Sequence, residues 1–282
     1  MSQENNEWSE IISSKHTLLS LNLGEVWRYK DLVYMLVRRD FVTTFKQTVL
    51  GPVWFFVNPI LTTIMFVIIF GRVAKLSTDG APMIPFYLAG VIMWNYFQTC
   101  LTSTSNVFKG NASVFGKVYF PRLVMPLSIV ISNLMRFGVQ YLLFLGVIIF
   151  YVIQGSIEPN AWILMTPFLI VLMAAFALGA GMIFSSLTTK YKDFSMLLGF
   201  GIQLYMYATP VVIPVSSFSE KYRWILEINP LTGVFECFKY GYLGTGDFTI
   251  NMLIYSTFVI FLILSLGAII FNKVEKSFMD TV

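Results

Sequence analysis

Long uncharged runs of hydrophobic residues alternate along this chain with short polar segments. The runs cover roughly residues 53–71, 85–107, 123–153, 160–187, 194–213 and 250–271. A helix needs about 20 apolar residues to cross the hydrocarbon core of a bilayer, and each run is about that long or longer. The segments between the runs, such as AKLSTDGAP at 74–82, hold turn-forming and charged residues. The pattern predicts an all-α polytopic membrane protein with six transmembrane helices.

The segment ahead of the first run, residues 24–49, mixes apolar and basic positions at helical spacing. An amphipathic helix of this kind lies in the plane of the membrane interface and does not cross it. It serves either as a contact for a partner or as a plain membrane anchor. The Gly51-Pro52 pair that follows predicts an elbow into the first span, because Gly permits the turn and Pro fits the first turn of a helix.

The segment 217–244, between the fifth and sixth runs, is too charged and too short for two full spans. Trp224, Ile228 and Phe235 nevertheless make it too apolar for a free loop. Asn229-Pro230 interrupts it, since Pro cannot continue a helix. We expect two short helices that re-enter the membrane from outside and line a pathway. Two helices resting on the outer surface are the alternative.

Composition agrees with the membrane assignment and sets an orientation. Hydrophobic residues make up 56% of the chain and charged residues 12%, with a mean hydropathy of +0.72. Placing the N-terminus inside leaves 13 of the 19 Lys and Arg residues in the cytoplasm, as the positive-inside rule expects. Both termini, the polar tail 1–23 and the tail 273–282, are then cytoplasmic. The basic residues are spread over short loops, so no nucleic-acid partner is expected.

The chemistry of nucleotide hydrolysis is missing from the sequence. GNASVFGKVY, residues 110–119, resembles a phosphate-binding loop, but its glycines are one residue too far apart and Val118 replaces the hydroxyl residue that holds magnesium. His16 is the sole histidine and no His, Cys and carboxylate cluster has metal-ligand spacing. Cys100 and Cys237 are expected to be packing residues. We expect no catalytic residue, metal or cofactor, and no ATP hydrolysis by the chain alone.

Aromatic and polar side chains inside the spans are candidate pathway residues. Amphipathic rings can slide along the alternating C–H faces and hydroxyls of a sugar polymer. The candidates are Trp94, Tyr96, Gln203, Tyr205 and Tyr207. An interfacial aromatic belt is the competing explanation. Small residues at Ala177, Gly181 and Ser185 predict close helix packing along the fourth span.

Arg136 is a full charge within the third span. Intramembrane charges are costly and mark either a functional site or an internal ion pair. Two possibilities stay open: contact with an anionic substrate, or an ion pair with Glu227 or Glu236.

The segment between the second and third spans, NVFKGNASVFGKVYFPR at 106–122, combines basic and aromatic residues. A short helix at 107–118 is able to seat in the groove of a soluble partner, with Phe108, Lys109, Phe115 and Lys117 as the candidate contacts. The alternative is a basic loop held at anionic lipid.

The order of these parts resembles the membrane subunit of ABC-2 type polysaccharide exporters, which move O-antigen, capsule or teichoic acid chains. The features that carry the resemblance are the amphipathic helix, LGPVWFFVNPI at 50–60, the basic loop after the second span, and INPLTGVFECFKYG at 228–241. The resemblance extends over roughly residues 24–272, with 50–272 as the transmembrane domain.

The resemblance implies roles for several parts. The helix 24–49 and the segment 107–118 become interface and coupling helices that contact a separate ATPase, which binds ATP and Mg. Leu50 and Gly51, beside Trp54, flank the channel entrance, and 217–244, with Trp224, Asn229, Pro230 and Phe235, forms an external gate. The assembly is a homodimer with two ATPase subunits in a bacterial inner membrane, and its cargo is a lipid-diphosphate-linked glycan.

Two other functions stay open. A drug or small-lipid exporter of the same fold would also use an aromatic channel. A membrane-embedded enzyme acting on lipid-linked sugars would need paired carboxylates or a metal cluster, and the sequence offers neither.

Overall fold

The computed structural model describes residues 23–46, 53–111, 120–191 and 193–279, and most of these residues lie in helices. The model is 81% helical and has no strand in the part described, which confirms the all-α class. Leu50, Gly51, Phe115 and Lys117 lie outside the described residues, as does the predicted elbow at Gly51-Pro52.

The described helices follow one another without a sheet between them. They are α1 (Leu23–Arg28), α2 (Lys30–Lys46), α3 (Trp54–Phe66), α4 (Met83–Ser105), α5 (Val107–Gly110), α6 (Val124–Ile153), α7 (Thr166–Lys190), α8 (Phe194–Tyr207), α9 (Glu220–Ile228), α10 (Thr232–Leu243) and α11 (Ile250–Met279). A π-helix, Val67–Val73, prolongs α3, and a 3-10 turn, Ala161–Met165, leads into α7. The predicted helix over 24–49 is present as α1 and α2 up to Lys46, with a break at Tyr29, and residues 47–49 lie outside the described residues.

Four helical segments are long and apolar enough to cross a membrane: Trp54–Val73, Val124–Ile153, Ala161–Lys190 and Ile250–Lys273. They coincide with four of the six predicted spans. The second predicted span is the helix α4, which has 23 residues but is less apolar because it carries Asn95 and Gln98. The fifth predicted span, 194–213, extends six residues beyond the helix that the structure shows there. The helix α8 ends at Tyr207, and Pro210 cannot continue it.

The helix α7 lies at the centre of the bundle and packs on α4 and α11. A Cβ built on Gly181 would lie 2.6 Å from the Thr104 Cβ, so only glycine allows α4 this close. Ala177 and Ser185 on the same helix are buried as well. This confirms the close packing predicted from the stripe of small residues. On the face toward α11, Gly179 lies against the backbone of Leu264.

A small second core closes the bundle at the end where α2 lies. It joins Leu36 of α2 and Phe108 of α5 to Val124 of α6 and Phe271 of α11. The Phe108 and Phe271 rings stack with centroids 4.9 Å apart. The helices α5 and α6, on either side of residues 112–119, are therefore joined through this core to the long helix α11.

At the opposite end, α9 and α10 form a helical hairpin whose second helix is inserted among the long helices. Of the residues in α10, only Tyr240 is not fully buried. Gly233 lets it touch α11, because a Cβ there would lie 2.5 Å from the Met252 carbonyl oxygen. The helix ends at Gly244, whose φ of 73° is left-handed, a conformation that glycine adopts without steric cost. The second helix of the hairpin is thus part of the packed core, whereas Leu226 is the one buried residue of α9.

Candidate functional site

Asn229 forms the tip of the α9–α10 hairpin and fastens it to the end of α8. Its Oδ1 accepts hydrogen bonds from the Tyr205 hydroxyl at 2.6 Å and from the Leu231 amide at 2.9 Å. Its Nδ2 donates to the Ala208 carbonyl at 2.7 Å and to the Thr209 hydroxyl at 2.9 Å. An asparagine side chain has two donors and two acceptor positions, so every one of them is used. The tip is held in one orientation.

The ring of Tyr205 lies in an aromatic cluster at the middle of the bundle. Its centroid is 6.0 Å from that of Trp94, 6.1 Å from Phe97 and 6.5 Å from Phe176. Trp94 is about 17 Å along the axis of α4 from Met83, at about 1.5 Å per residue. Because Asn229 is bonded to the Tyr205 hydroxyl, the tip of the hairpin lies next to the middle of α4.

Lys239 of α10 fixes the chain between α8 and α9. Its Nζ donates to the carbonyl of Pro210 at 2.6 Å and lies 3.6 Å from the centroid of the Phe86 ring. Val211, which follows Pro210, lies against Gly90 of α4. A Cβ built on Gly90 would be 2.5 Å from the Val211 carbonyl oxygen. Lys239 therefore holds this connecting segment between α10 and α4.

Glu236 is the acidic counterpart of Lys239 one turn earlier in α10. Both side chains are almost completely buried, with 1% and 2% exposure. Burial raises the pKa of the Glu236 carboxyl and lowers the pKa of Lys239, and each charge opposes the shift of the other. The Glu236 Oε1 atom has no hydrogen-bond partner in the described part of the chain. The stability of α10 therefore depends on keeping the two charges together.

A second group of charges lies at the surface beside the hairpin. Arg223 of α9 binds Glu227 at 3.1 Å and Asp247 at 3.1 Å, and the Ser216 hydroxyl bonds to the Asp79 carboxylate. These contacts join the hairpin and its flanking turns to the loop between α3 and α4. Exposed ion pairs contribute little energy individually. These contacts therefore help to orient the hairpin but add little to its stability.

Arg136 lies on α6 near the start of α3, away from the hairpin. Its guanidinium is 5.7 Å from the centroid of the Phe55 ring, and the carboxylate that acts on its charge is Asp40 of α2. The predicted ion pair with Glu227 or Glu236 is wrong, since Glu227 binds Arg223 and Glu236 lies with Lys239. The sequence could not show this, because Asp40 precedes Arg136 by almost a hundred positions.

The predicted pathway residues fall into two groups. Trp94 and Tyr205 meet in the aromatic cluster, and Tyr96 packs on Phe137 at 5.3 Å. Gln203 and Tyr207 are exposed on α8. Trp94 and Tyr96 are covered by other helices in this conformation, whereas the exposed pair is open to a ligand. The pathway role stays a prediction for all five.

The candidates for the channel entrance and for the ATPase contact differ in how exposed their side chains are. Trp54 is half exposed at the start of α3, and Lys109 is exposed with its Nζ 3.2 Å from the Ser195 hydroxyl. Phe108 is covered by Phe271, so its ring holds the core together here and does not face outward. The partner contacts predicted at these positions stay predictions.

Within the hairpin, only part of the predicted apolar set is buried. Phe235 is buried and Pro230 is half buried, whereas Trp224 and Ile228 are exposed on α9. The gate role predicted for Trp224, Asn229, Pro230 and Phe235 stays a prediction, and Trp224 and Ile228 are not covered by other parts of the described chain. They form an apolar face on the outside of the bundle.

Sequence reasoning missed Lys239 and used Glu236 for the wrong partner. The available signal was the spacing: Glu236 and Lys239 are three residues apart within an otherwise apolar helix, and residues at this spacing lie on one face. It also missed Tyr242, whose hydroxyl bonds to Tyr141 and lies 3.0 Å from the Thr166 hydroxyl. Cys100 and Cys237 are both free and buried, which confirms them as packing residues, although Cys237 lies in α10 and not in a loop.

The chain is similar in sequence to known proteins along most of its length. The family model described as ABC-2 type transporter matches residues 31–243, a range that extends from α2 to the end of α10. The chain is 27% identical over 264 residues to the O-antigen export system permease protein RfbA of Klebsiella pneumoniae. That match covers 93% of this chain and 98% of the relative.

Two further relatives come from other bacteria, and one of them is a capsule export protein. The O-antigen export system permease protein RfbA of Myxococcus xanthus is 25% identical over 218 residues, 76% of this chain and 81% of the relative. The capsule polysaccharide export inner-membrane protein CtrC of Neisseria meningitidis is 23% identical over 251 residues, 88% of this chain and 92% of the relative. The similarity thus extends along most of the chain in each comparison.

Proposed function

This chain belongs to the ABC-2 type transporter family, and from that premise we propose that it is the membrane subunit of an ATP-driven polysaccharide exporter. The cargo is a lipid-diphosphate-linked glycan of the O-antigen, capsule or teichoic acid kind. The observation that carries the proposal is the nearly end-to-end match to an O-antigen export permease. The protein is a multi-pass membrane protein, in keeping with its apolar helices, and the bacterial inner membrane is its location.

ATP hydrolysis is assigned to a separate subunit. The proposal is supported by the defective phosphate loop at 110–119, whose spacing does not suit a nucleotide. The helix α2 and the segment 107–118 are the docking surface, with Mg and ATP bound by the partner. Trp27 and Tyr34 are exposed on α1 and α2, and aromatic side chains are common anchors of protein interfaces. Lys109, exposed at the same end of the bundle, adds a positive charge.

The helices cross the membrane six times in this proposal, with both termini in the cytoplasm. The α9–α10 hairpin then enters from outside and returns, forming the external gate. It is supported by the contact of Asn229 with Tyr205 at the bundle centre, and by the position of Gly244 against Glu158. A hairpin that lay on the surface would make only the second of these contacts.

Thiol labelling tests this topology. Single cysteines at positions 219, 230 and 246 are introduced after Cys100 and Cys237 are replaced by alanine. An impermeant maleimide added outside is expected to label 219 and 246 and to leave 230 protected. Labelling of 230 from the cytoplasm would mean that the segment crosses the bilayer, and the six-span topology would be wrong.

Two copies of the chain, each with one ATPase, form the exporter in this proposal. The apolar faces of α3 and α8 support it, since Leu61 on α3 and Met196 and Phe200 on α8 are exposed in the single chain. Built Cβ atoms on Gly199 and Gly201 have no neighbour within 4 Å, which leaves room for a second backbone. A channel entrance flanked by Leu50, Gly51 and Trp54 would lie between the copies.

Transport in membrane vesicles tests the function directly. The chain and its ATPase are placed in inverted vesicles with a polyprenyl-diphosphate-linked O-antigen glycan on the outer, cytoplasm-like face. We expect ATP to move the glycan into the lumen, where an added glycosidase cannot reach it. An ATPase variant unable to hydrolyse ATP is the control. Transport of a hydrophobic drug under ATP with no glycan movement would refute the proposal in favour of a drug exporter.

A further inference from the structure

We propose that Tyr205 and Asn229 form a latch that holds the α9–α10 hairpin in its closed position against α8. The role of the hairpin as a gate rests on the proposed function, but the latch itself is a property of the fold. The two side chains are positioning residues, because they fix where the hairpin lies.

Asn229 has no free hydrogen-bonding position on its side chain. Its four polar positions are all occupied, by Tyr205, Leu231, Ala208 and Thr209. Three of these bonds, to Tyr205, Ala208 and Thr209, join the hairpin to α8 and the turn that follows it. Asn229 is buried, so water cannot replace these bonds as soon as the hairpin begins to move away. A buried polar atom left without a partner costs about 1–3 kcal/mol as a general figure. The closed position is therefore strongly specified.

Tyr205 connects the hairpin to three helices of the bundle. Its backbone belongs to α8, but its ring is packed on α4 through Trp94 and Phe97 and on α7 through Phe176. The hydroxyl position is therefore set by the packing of three helices. The bond to Asn229 measures 2.6 Å, and an O–H···O bond is lost when the oxygens separate beyond about 3.5 Å. A relative shift of Tyr205 and Asn229 by about 1 Å is enough to break this bond and leaves the two bonds from the Asn229 Nδ2 to hold the tip.

Tyr205 and Tyr207 differ in their surroundings, which separates the latch from a cargo-binding role. Tyr205 was predicted to stack on sugar, but its hydroxyl is engaged and its ring is surrounded by other rings. Tyr207, two residues further on, has an exposed ring and no hydrogen bond of its hydroxyl in the described part of the chain. The two tyrosines therefore divide the roles, and Tyr207 provides a matched control for Tyr205.

The experiment measures opening of the hairpin without any cargo. A reporter cysteine replaces Leu226, which is buried on α9, in a chain with Cys100→Ala and Cys237→Ala, expressed with its ATPase in intact cells. The rate of labelling by an impermeant maleimide is compared for the parent, Tyr205→Phe and Tyr207→Phe. We expect Tyr205→Phe to label about five-fold faster, the change that corresponds to a lost hydrogen bond of about 1 kcal/mol. Tyr207→Phe should label at the parent rate.

A double-mutant cycle shows whether Tyr205 acts through Asn229. Asn229→Ala should speed labelling by itself, and Tyr205→Phe should add nothing in that background. Parent-like labelling of Tyr205→Phe, or equal effects of Tyr205→Phe and Tyr207→Phe, would overturn the latch. Additive effects of Tyr205→Phe and Asn229→Ala would overturn it as well. If Asn229→Ala does not assemble, the comparison of the two tyrosine variants decides alone.

The outcome is independent of the cargo assignment. Faster labelling of Tyr205→Phe in a protein that moves no glycan would support the latch and contradict the proposed function. Unchanged labelling of Tyr205→Phe in a protein that exports glycan would contradict the latch and support the proposed function.

Discussion

Replacing Lys239 with methionine is the most informative single change outside the latch. Methionine retains the length of the side chain and removes the charge. The substitution deletes the bond from Nζ to the Pro210 carbonyl at 2.6 Å and the cation–π contact with Phe86 at 3.6 Å. It also leaves Glu236, which is 1% exposed, without a neighbouring cation on α10.

The expected loss of stability is about 3–5 kcal/mol, the usual cost of removing one partner from a buried pair of charges. A hydrogen bond to a charged group is worth about 1.5–3 kcal/mol and a desolvated cation–π contact about 2 kcal/mol. These figures overlap and are not summed. For a chain of this length, about 3–5 kcal/mol lowers the unfolding midpoint by about 6–20 °C.

The assay is the thermal unfolding of the purified protein in detergent, followed by its monodisperse fraction. Lys239→Met should unfold at the lower temperature, and Lys239→Met/Glu236→Gln should recover at least half of the loss because the stranded charge is gone. Lys221→Met, at an exposed lysine, is the control and should behave as the parent.

The pH dependence of Lys239→Met gives a second test. Burial already raises the pKa of Glu236, and loss of Lys239 raises it further. A raised pKa in the folded state means that stability is complete below the ordinary Glu pKa and is lost as the pH rises through the folded value. The variant should therefore be more stable at pH 5 than at pH 8. A Lys239→Met protein as stable as the parent, or one that Glu236→Gln destabilises further, would refute the reasoning.

Two further changes test packing and charge elsewhere. Gly179→Ala should destabilise the bundle by about 1–3 kcal/mol, because the added Cβ would lie 2.6 Å from the Leu264 Cα. Gly146→Ala on α6 is the control and should not destabilise the bundle, since a Cβ built there has no neighbour within 4 Å. Equal unfolding midpoints for the two variants would contradict this. Arg136→Leu should reduce glycan export and leave assembly intact. Arg136→Lys should export more than Arg136→Leu but less than the parent, because lysine keeps the charge but lacks the planar guanidinium fork. Full export by Arg136→Leu would show that the charge is not needed.

Most of the helices were predictable because their signal is local. The length and polarity of each run predict where a membrane helix starts and ends, and the positions of α3, α6, α7 and α11 agree with the runs. Breaks encoded by proline or glycine were also local, as at Asn229-Pro230 between α9 and α10. The exception is α8, where an apolar run continued past Pro210 although the helix had ended.

The sequence by itself thus determined the helical class, the approximate spans, the break in the hairpin and the family. Each of these depends on composition and spacing within a few dozen residues. Only the tertiary structure decided that Arg136 lies near Asp40, that Lys239 reaches the Pro210 carbonyl, and that Asn229 meets Tyr205. These contacts join helices that are distant along the chain, and every polar side chain in an apolar run has several possible partners. Which partner it meets is set by how the helices pack, at positions such as Gly90 and Gly181 where two backbones come into contact.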